Sequence, residues 1–151
     1  MQNNRIIENS KIGKDCVIWN FINIYNAEIG NEVSIVSFTE IGKAKIGDRT
    51  RIGAGCFIPE GITIEEDCFI SPGVYFANDK RPTVKRARDK KAKLYKTIVK
   101  RNVVIGLNST ILPGVIIGEG AFIGGGSVIS KDIPPNSIIF GNPAKIKGVL
   151  Q

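Results

Sequence analysis

Isoleucine, or another apolar residue in its place, returns at every sixth position along most of this chain. The late anchors are Val99, Ile105, Ile111, Ile117, Ile123 and Ile129. The early ones are Ile6, Ile12, Ile18, Ile24, Ile29, Ile35, Ile41, Ile46, Ile52, Ile58, Ile64, Ile70 and Phe76. A helix repeats every 3.6 residues and a half-buried strand every two, so neither accounts for this spacing. A second series lies four residues after each anchor and is small or β-branched, as at Cys16, Val33, Thr39, Thr50, Cys56, Cys68, Val103, Ser109, Ala121 and Ser127. Glycine often follows the anchor (Gly13, Gly30, Gly47, Gly53, Gly106, Gly118, Gly124) and is expected to permit tight turns between short strands. A unit of this kind cannot bury its apolar side chains alone; stacked units form a continuous core.

Three hexapeptides make one coil of about eighteen residues. Taking triplets back and forth from Ile46 gives coils that start at Ile12, Ile29, Ile46, Ile64, Val99 and Ile117. The two five-residue steps, Ile24 to Ile29 and Ile41 to Ile46, then fall on the third side of their coils, and the long break after Phe76 falls there too. Three irregularities on one edge fix the phase. The reading is a single domain over 1–151, with coils at about 6–76 and 99–133, an inserted loop at 77–98 and a short C-terminal segment at 134–151.

Composition narrows the partners. The chain has 151 residues, 42% of them hydrophobic, enough for one sizeable core. No apolar run reaches the roughly 18 residues of a membrane span, and the opening "MQNNRIIENSKIG" lacks a basic-then-apolar signal pattern, so a cytoplasmic protein without membrane insertion is expected. Three cysteines without C-x-x-C spacing argue against disulfides or zinc; all three are expected at the small interior position. The net charge of +7 is local: residues 78–101 hold eleven Lys/Arg against two Asp, which is +9, and the remainder sums to −2. A long basic loop on a rigid scaffold suits a phosphorylated small molecule, or a nucleic acid. Its one aromatic residue, Tyr95, is fewer than a base-stacking platform uses, so nucleic acid is not expected. Trp19 and Tyr25 follow anchors and are expected to point outward, where they suit a subunit contact.

The repeat resembles that of the hexapeptide-repeat acyltransferases, whose fold is an all-β, left-handed parallel β-helix; about six coils are expected here. Within that family "FANDKRP" at 76–82 looks like the F-x-N-D-x-x-P segment of the sugar-nucleotide N-acetyltransferases, and the stretch from Thr97 to Gly148, ending in "GNPAKIKG", is similar as well. The resemblance implies transfer from acetyl-CoA to the amino group of a UDP- or dTDP-linked amino sugar, by a homotrimer with sites between neighbouring prisms. The basic stretch from Lys85 to Lys96 departs from the family pattern, so the sugar nucleotide stays open.

The chain contains no histidine. That excludes the three-histidine metal sites of the γ-class carbonic anhydrases, and no metal is expected. It also counts against O-acetylation, because an alcohol needs its proton removed, whereas a neutral amine attacks a thioester directly. Within the matching segment, Asn78 is the candidate for holding the amine in line and Asp79 for orienting the sugar or for proton removal. Lys80 and Arg81 are assigned to the diphosphate, with Glu60 and Glu66 as further substrate contacts. For CoA the candidates are exposed backbone at Gly106, Asn108, Gly124 and Gly125, the turn Asn142, Pro143 and Ala144, which the resemblance places at the adenine end, and Lys145 and Lys147 for its phosphates. Two alternatives remain at this point: an O-acetyltransferase of a sugar or antibiotic, and a non-catalytic scaffold whose basic loop binds nucleic acid or an acidic partner.

Overall fold

The computed structural model describes residues 4–151. Its twenty-one short strands, β1 to β21 in chain order, fall into three sheets that form the sides of a prism. The first face stacks β1 (Arg5–Glu8), β4 (Ile22–Tyr25), β7 (Glu40–Gly42), β10 (Phe57–Ile58), β13 (Tyr75–Phe76), β16 (Thr110–Ile111) and β19 (Val128–Ile129). The second stacks β2 (Lys11–Ile12), β5 (Glu28–Ile29), β8 (Lys45–Ile46), β11 (Ile62–Ile64), β14 (Thr97–Val99) and β17 (Ile116–Ile117). The third stacks β3 (Val17–Ile18), β6 (Ser34–Ile35), β9 (Arg51–Ile52), β12 (Phe69–Ile70), β15 (Val104–Ile105), β18 (Phe122–Ile123) and β20 (Ser137–Phe140), closed by β21 (Lys145–Val149). The fold is a left-handed parallel β-helix. Among the described residues only the β20–β21 pair is antiparallel.

The anchors fill the interior as the period requires. From Ile24 to Ile129 every one is buried, and each pairs with the anchor one coil away, as Ile24 with Ile41 and Ile105 with Ile123. Burying one such side chain contributes about 1.5–3 kcal/mol, so the column of isoleucines is the main stabilising element. The second series is buried too from Ile22 onward, and its hydroxyls are satisfied: Thr39 Oγ1 donates to the Gly53 carbonyl at 3.0 Å and Thr50 Oγ1 to that of Glu65 at 2.9 Å.

Four expectations need correction. The first-coil anchor is Ile7, not Ile6, because Ile7 pairs with Ile24 while Ile6 faces outward beside Asn23. The step from Ile7 to Ile12 is therefore a third five-residue step on the same edge. Seven strands on the first face show that about six coils undercounts, since β1 opens a coil before Ile12. Cys16, unlike Cys56 and Cys68, is only half-buried.

The glycines that follow anchors do not make the turns. Positive φ occurs two or three residues after an anchor, as at Asp15, Glu32, Asp67 and Gly73. There the corner N–H reaches the carbonyl one coil earlier, as from Glu32 to Lys14 at 2.8 Å. The post-anchor glycines instead let coils stack closely: a Cβ on Gly118 would sit 2.5 Å from Pro135 N.

The first-to-second edge carries the short steps and also the excursion at 77–96, since β14 resumes at Thr97. The excursion contains one short helix, α1 (Val84–Arg88), capped by Thr83, whose side chain accepts from Arg86 N at 3.1 Å.

Candidate active site

The root of the excursion is held by its own backbone. Tyr95 N donates to the Asn78 carbonyl at 2.8 Å, and Thr97 N donates to Gly61 at 3.2 Å. Asn78 Nδ2 donates to the Glu60 carbonyl at 3.0 Å, which ties the side chain to the preceding corner and fixes its carboxamide plane. Asp79 is half-buried and fully engaged. Arg86 Nε meets Oδ2 at 2.9 Å, Arg86 Nη2 meets Oδ1 at 3.2 Å, and Arg81 N–H donates to Oδ1 at 2.9 Å. The Arg86 guanidinium first, and then the Arg81 N–H, hold the Asp79 carboxyl below the usual aspartate range. Such a carboxylate is a weak proton acceptor near neutrality. Its geometry is that of a clamp, because Arg86 Nη2 also donates to the Lys93 carbonyl at 3.1 Å and joins the two limbs.

A cleft of about 540 Å³ opens beside this clamp, lined by Glu60, Asn78, Asp79, Arg86, Lys90 and Lys96 among others. The loop limb separates it from a second hollow of about 770 Å³, which meets Lys80, Leu112, Pro113 and Lys131. Of the two cations assigned to the diphosphate, Lys80 lines that second hollow and sets Nζ 4.5 Å above the Tyr95 ring. Arg81 is exposed and contributes its N–H to Asp79. The cations beside Asn78 are Arg86, Lys90 and Lys96, which the sequence reading did not single out. A run of alternating lysines and arginines gives no sign of which ones fold back; the helix at 84–88 decides it.

Glu60 lies at the same corner, paired with Lys43. Glu66 does not join them. It sits on the second-to-third edge, 3.5 Å from Arg101, in a ladder that includes the Lys100–Glu65 pair at 2.9 Å.

The residues assigned to CoA gather on the remaining edge, between the third and first faces. A Cβ on Gly106 would lie 2.5 Å from Gly125 N, so the two corners are in contact. Asn108 and Gly125 are exposed there. Gly124 is not exposed as expected; it is buried against the Phe140 ring. The turn Gly141–Ala144 docks on the same edge through Val128 N to the Gly141 carbonyl at 3.0 Å and Ala144 N to that of Val128 at 3.2 Å. Pro143 and Asn142 form its exposed tip, and Lys145 and Lys147 lie exposed on β21. Trp19 points outward, as expected; Tyr25 is half-buried and donates to Glu40 at 3.0 Å.

Among the described residues no cluster of three His, Cys, Asp or Glu could hold a metal ion, and no helix is long and apolar enough to cross a membrane.

Known proteins match the repeat on both sides of the excursion. The bacterial transferase hexapeptide family (six repeats) matches residues 43–78 and 96–131, the two stretches that flank the loop. A dTDP-3-amino-3,6-dideoxy-α-D-galactopyranose 3-N-acetyltransferase from Aneurinibacillus thermoaerophilus is 53% identical over 55 residues, covering 36% of this chain and 29% of the relative. The chain spans less than half the length of the curated relatives it matches. The crystal structure of AntD, an N-acyltransferase from Bacillus cereus, in complex with dTDP and 3-hydroxybutyryl-CoA superposes with a TM-score of 0.81. It is 28% identical and covers 95% of this chain and 84% of that one. A variant of AntD in complex with dTDP-4-amino-4,6-dideoxyglucose and coenzyme A gives 0.82 at 28% identity, covering 95% and 84%.

Proposed function

The chain belongs to the hexapeptide-repeat transferases, and on that premise we propose that it transfers the acetyl group of acetyl-CoA to the amino group of a nucleotide-linked amino sugar. The observation that carries this reading is the near full-length likeness to AntD, whose crystals hold dTDP and an acyl-CoA. The cleft around Asn78 supports it, because it places Arg86, Lys90 and Lys96, among the carboxylates Glu60, Asp79 and Asp89, beside one fixed acceptor, and a nucleoside diphosphate needs cations and an amine needs an acceptor.

The neutral sugar amine attacks the thioester carbonyl. A C–N bond forms, the C–S bond breaks, and the amine proton ends on the departing thiolate. Asn78 is the residue that aligns the amine: with Nδ2 committed to Glu60, its Oδ1 is the atom left to accept from the amine. Orientation of this kind is worth several kcal/mol. Asp79 holds the loop through Arg86. Arg86, Lys90 and Lys96 face the diphosphate, and Lys80 and Arg81 act at the rim. Glu60 meets the sugar, whereas Glu66 takes no part. Gly106, Asn108, Gly125, Asn142, Pro143, Ala144, Lys145 and Lys147 serve the CoA side. No residue acts as a histidine-like base.

The Asn78 cleft and the CoA edge lie on two different edges of one prism. A site using both is completed by a neighbouring copy, which supports a homotrimer, an ordinary closed symmetry. The working compartment is the cytoplasm, where both substrates would be met.

The test is the chemistry of the product. The protein is incubated with acetyl-CoA and a dTDP- or UDP-linked amino sugar, and the acetylated product is exposed to mild base. A base-stable amide supports N-acetylation; a base-labile ester means O-acetylation, and no product at all contradicts both.

A further inference from the structure

The corner between the third and first faces repeats one residue per coil: Phe21, Phe38, Gly55, Gly73, Asn108 and Gly126, all with positive φ. Among the described residues, these two phenylalanines are the only large apolar side chains at such a corner; elsewhere the non-glycine residues are Asn, Asp, Glu, Lys or Arg. A bulky side chain at φ of 57° and 65° is strained. Folding gains little in return, because Phe21 is 52% and Phe38 69% exposed. The rings stack on each other, with centroids 5.3 Å apart and planes 6° from parallel.

The next position in the column is open. A Cβ on Gly55 would meet nothing within 4 Å, while at Gly73 the space is filled by the Asn108 carboxamide from the following coil. Coils stack at about 4.7–4.9 Å, so the gap beyond the Phe38 ring is one flat ring deep and is closed on its far side by an amide. Beside the pair lies a cavity of about 620 Å³ that also meets Arg5, Asn23 and Glu40. It offers an aromatic face, a cation, a carboxamide and a carboxylate.

We propose that the Phe21–Phe38 stack and the gap over Gly55 bind the planar heterocycle of a nucleotide. The stack supplies the ring face, Asn23 and Glu40 meet the polar edge, and Arg5 meets a phosphate. The proposal rests on the nucleotide-dependent reading above. The ring comes either from the pyrimidine of the sugar nucleotide or from the adenine of CoA, and both share this chemistry.

The experiment measures binding of dTDP, UDP and CoA, each alone, by titration calorimetry on the wild type, Phe38→Gly and Phe38→Tyr, with assembly size followed by light scattering. Base–aromatic stacking predicts roughly a tenfold or greater loss of affinity in Phe38→Gly and retention in Phe38→Tyr. Because glycine accepts the positive φ, the melting temperature of Phe38→Gly is expected to hold or rise. Loss for dTDP or UDP assigns the pyrimidine; loss for CoA assigns the adenine. Unchanged affinity for all three overturns the proposal while leaving the transferase reading intact. A smaller assembly in Phe38→Gly overturns it as well, by making the pair a contact between copies. A wild type that binds none of the three removes the transferase reading and this proposal together.

Discussion

Arg86 grips Asp79 with both arms of its guanidinium, Nε to Oδ2 at 2.9 Å and Nη2 to Oδ1 at 3.2 Å, and so pins the helix of the excursion to its root. An ion pair this close to solvent adds little to stability. Its larger effect is on shape, since Arg86 also donates to the Lys93 carbonyl and so joins the two limbs that border the cleft beside Asn78. Arg86→Ala is expected to lower kcat/KM for the sugar nucleotide by tenfold or more while shifting Tm by a few degrees at most. Steady-state kinetics and a melting curve on the same sample check this, and Arg86→Lys should recover only part because lysine lacks the fork.

Asn78→Ala removes the acceptor proposed for the amine and nothing from the core. The expected result is a fall in kcat of about 100-fold or more, consistent with lost orientation, with Tm within a degree or two of wild type. A variant that transfers at the wild-type rate would remove Asn78 from the site.

The pH profile should belong to the substrate. The chain has no histidine to titrate near neutrality. The Asp79 carboxyl is depressed below its ordinary value of 3.8, by Arg86 first. A group lowered in the folded state stabilises it at pH above the unfolded value, and that contribution is lost only as pH falls through the still lower folded value. The clamp is therefore constant above about pH 5. As pH rises, kcat/KM should climb until the sugar amine, with a pKa of about 8 like an α-amino group, is neutral. Two acceptors with different amine pKa values should give limbs displaced by that difference; a limb that stays fixed would point to a protein group.

The repeat was legible because each irregularity in it has a single physical cause. The short steps at Ile24–Ile29 and Ile41–Ile46 and the break after Phe76 all lie on one edge, as the phase required. The first anchor is not legible in the sequence, because Ile6 and Ile7 are equally apolar and only the pairing of Ile7 with Ile24 distinguishes them. Glu60 and Glu66 are close in sequence, but six residues are one side of the prism, so the two lie on different edges. Lys90 and Lys96 were hidden in a run of similar charges. Phe21 and Phe38 lay in plain view at the third residue after an anchor, but without knowing that this position takes positive φ there was no reason to find them unusual.

Close stacking makes a sharp stability prediction outside the site. In Gly118→Ala the new Cβ would lie 2.5 Å from Pro135 N and 2.7 Å from the Ile133 carbonyl, both backbone atoms. Overpacking against backbone costs roughly 1–3 kcal/mol. Denaturant unfolding should show that loss, whereas Gly126→Ala meets nothing within 4 Å and carries only the cost of its positive φ.

The cysteines should separate by depth. Burial pushes the Cys68 thiol up to about 11 and raises that of Cys56. A thiol reagent that reacts with thiolate is expected to modify Cys16 alone in the native protein and all three after denaturation, as counted by absorbance. Rapid native labelling of Cys68 would contradict the buried column.

The most direct test of the central claim is thiol release from acetyl-CoA across a panel of dTDP- and UDP-linked sugars, each supplied with an amine and with a hydroxyl at the same carbon. The account predicts release with at least one amino sugar, matched mole for mole by loss of free amine, and none with its hydroxyl counterpart. Equal release with the hydroxyl sugar, or none across the panel from a protein that acetyl-CoA does not protect against heat, would contradict it.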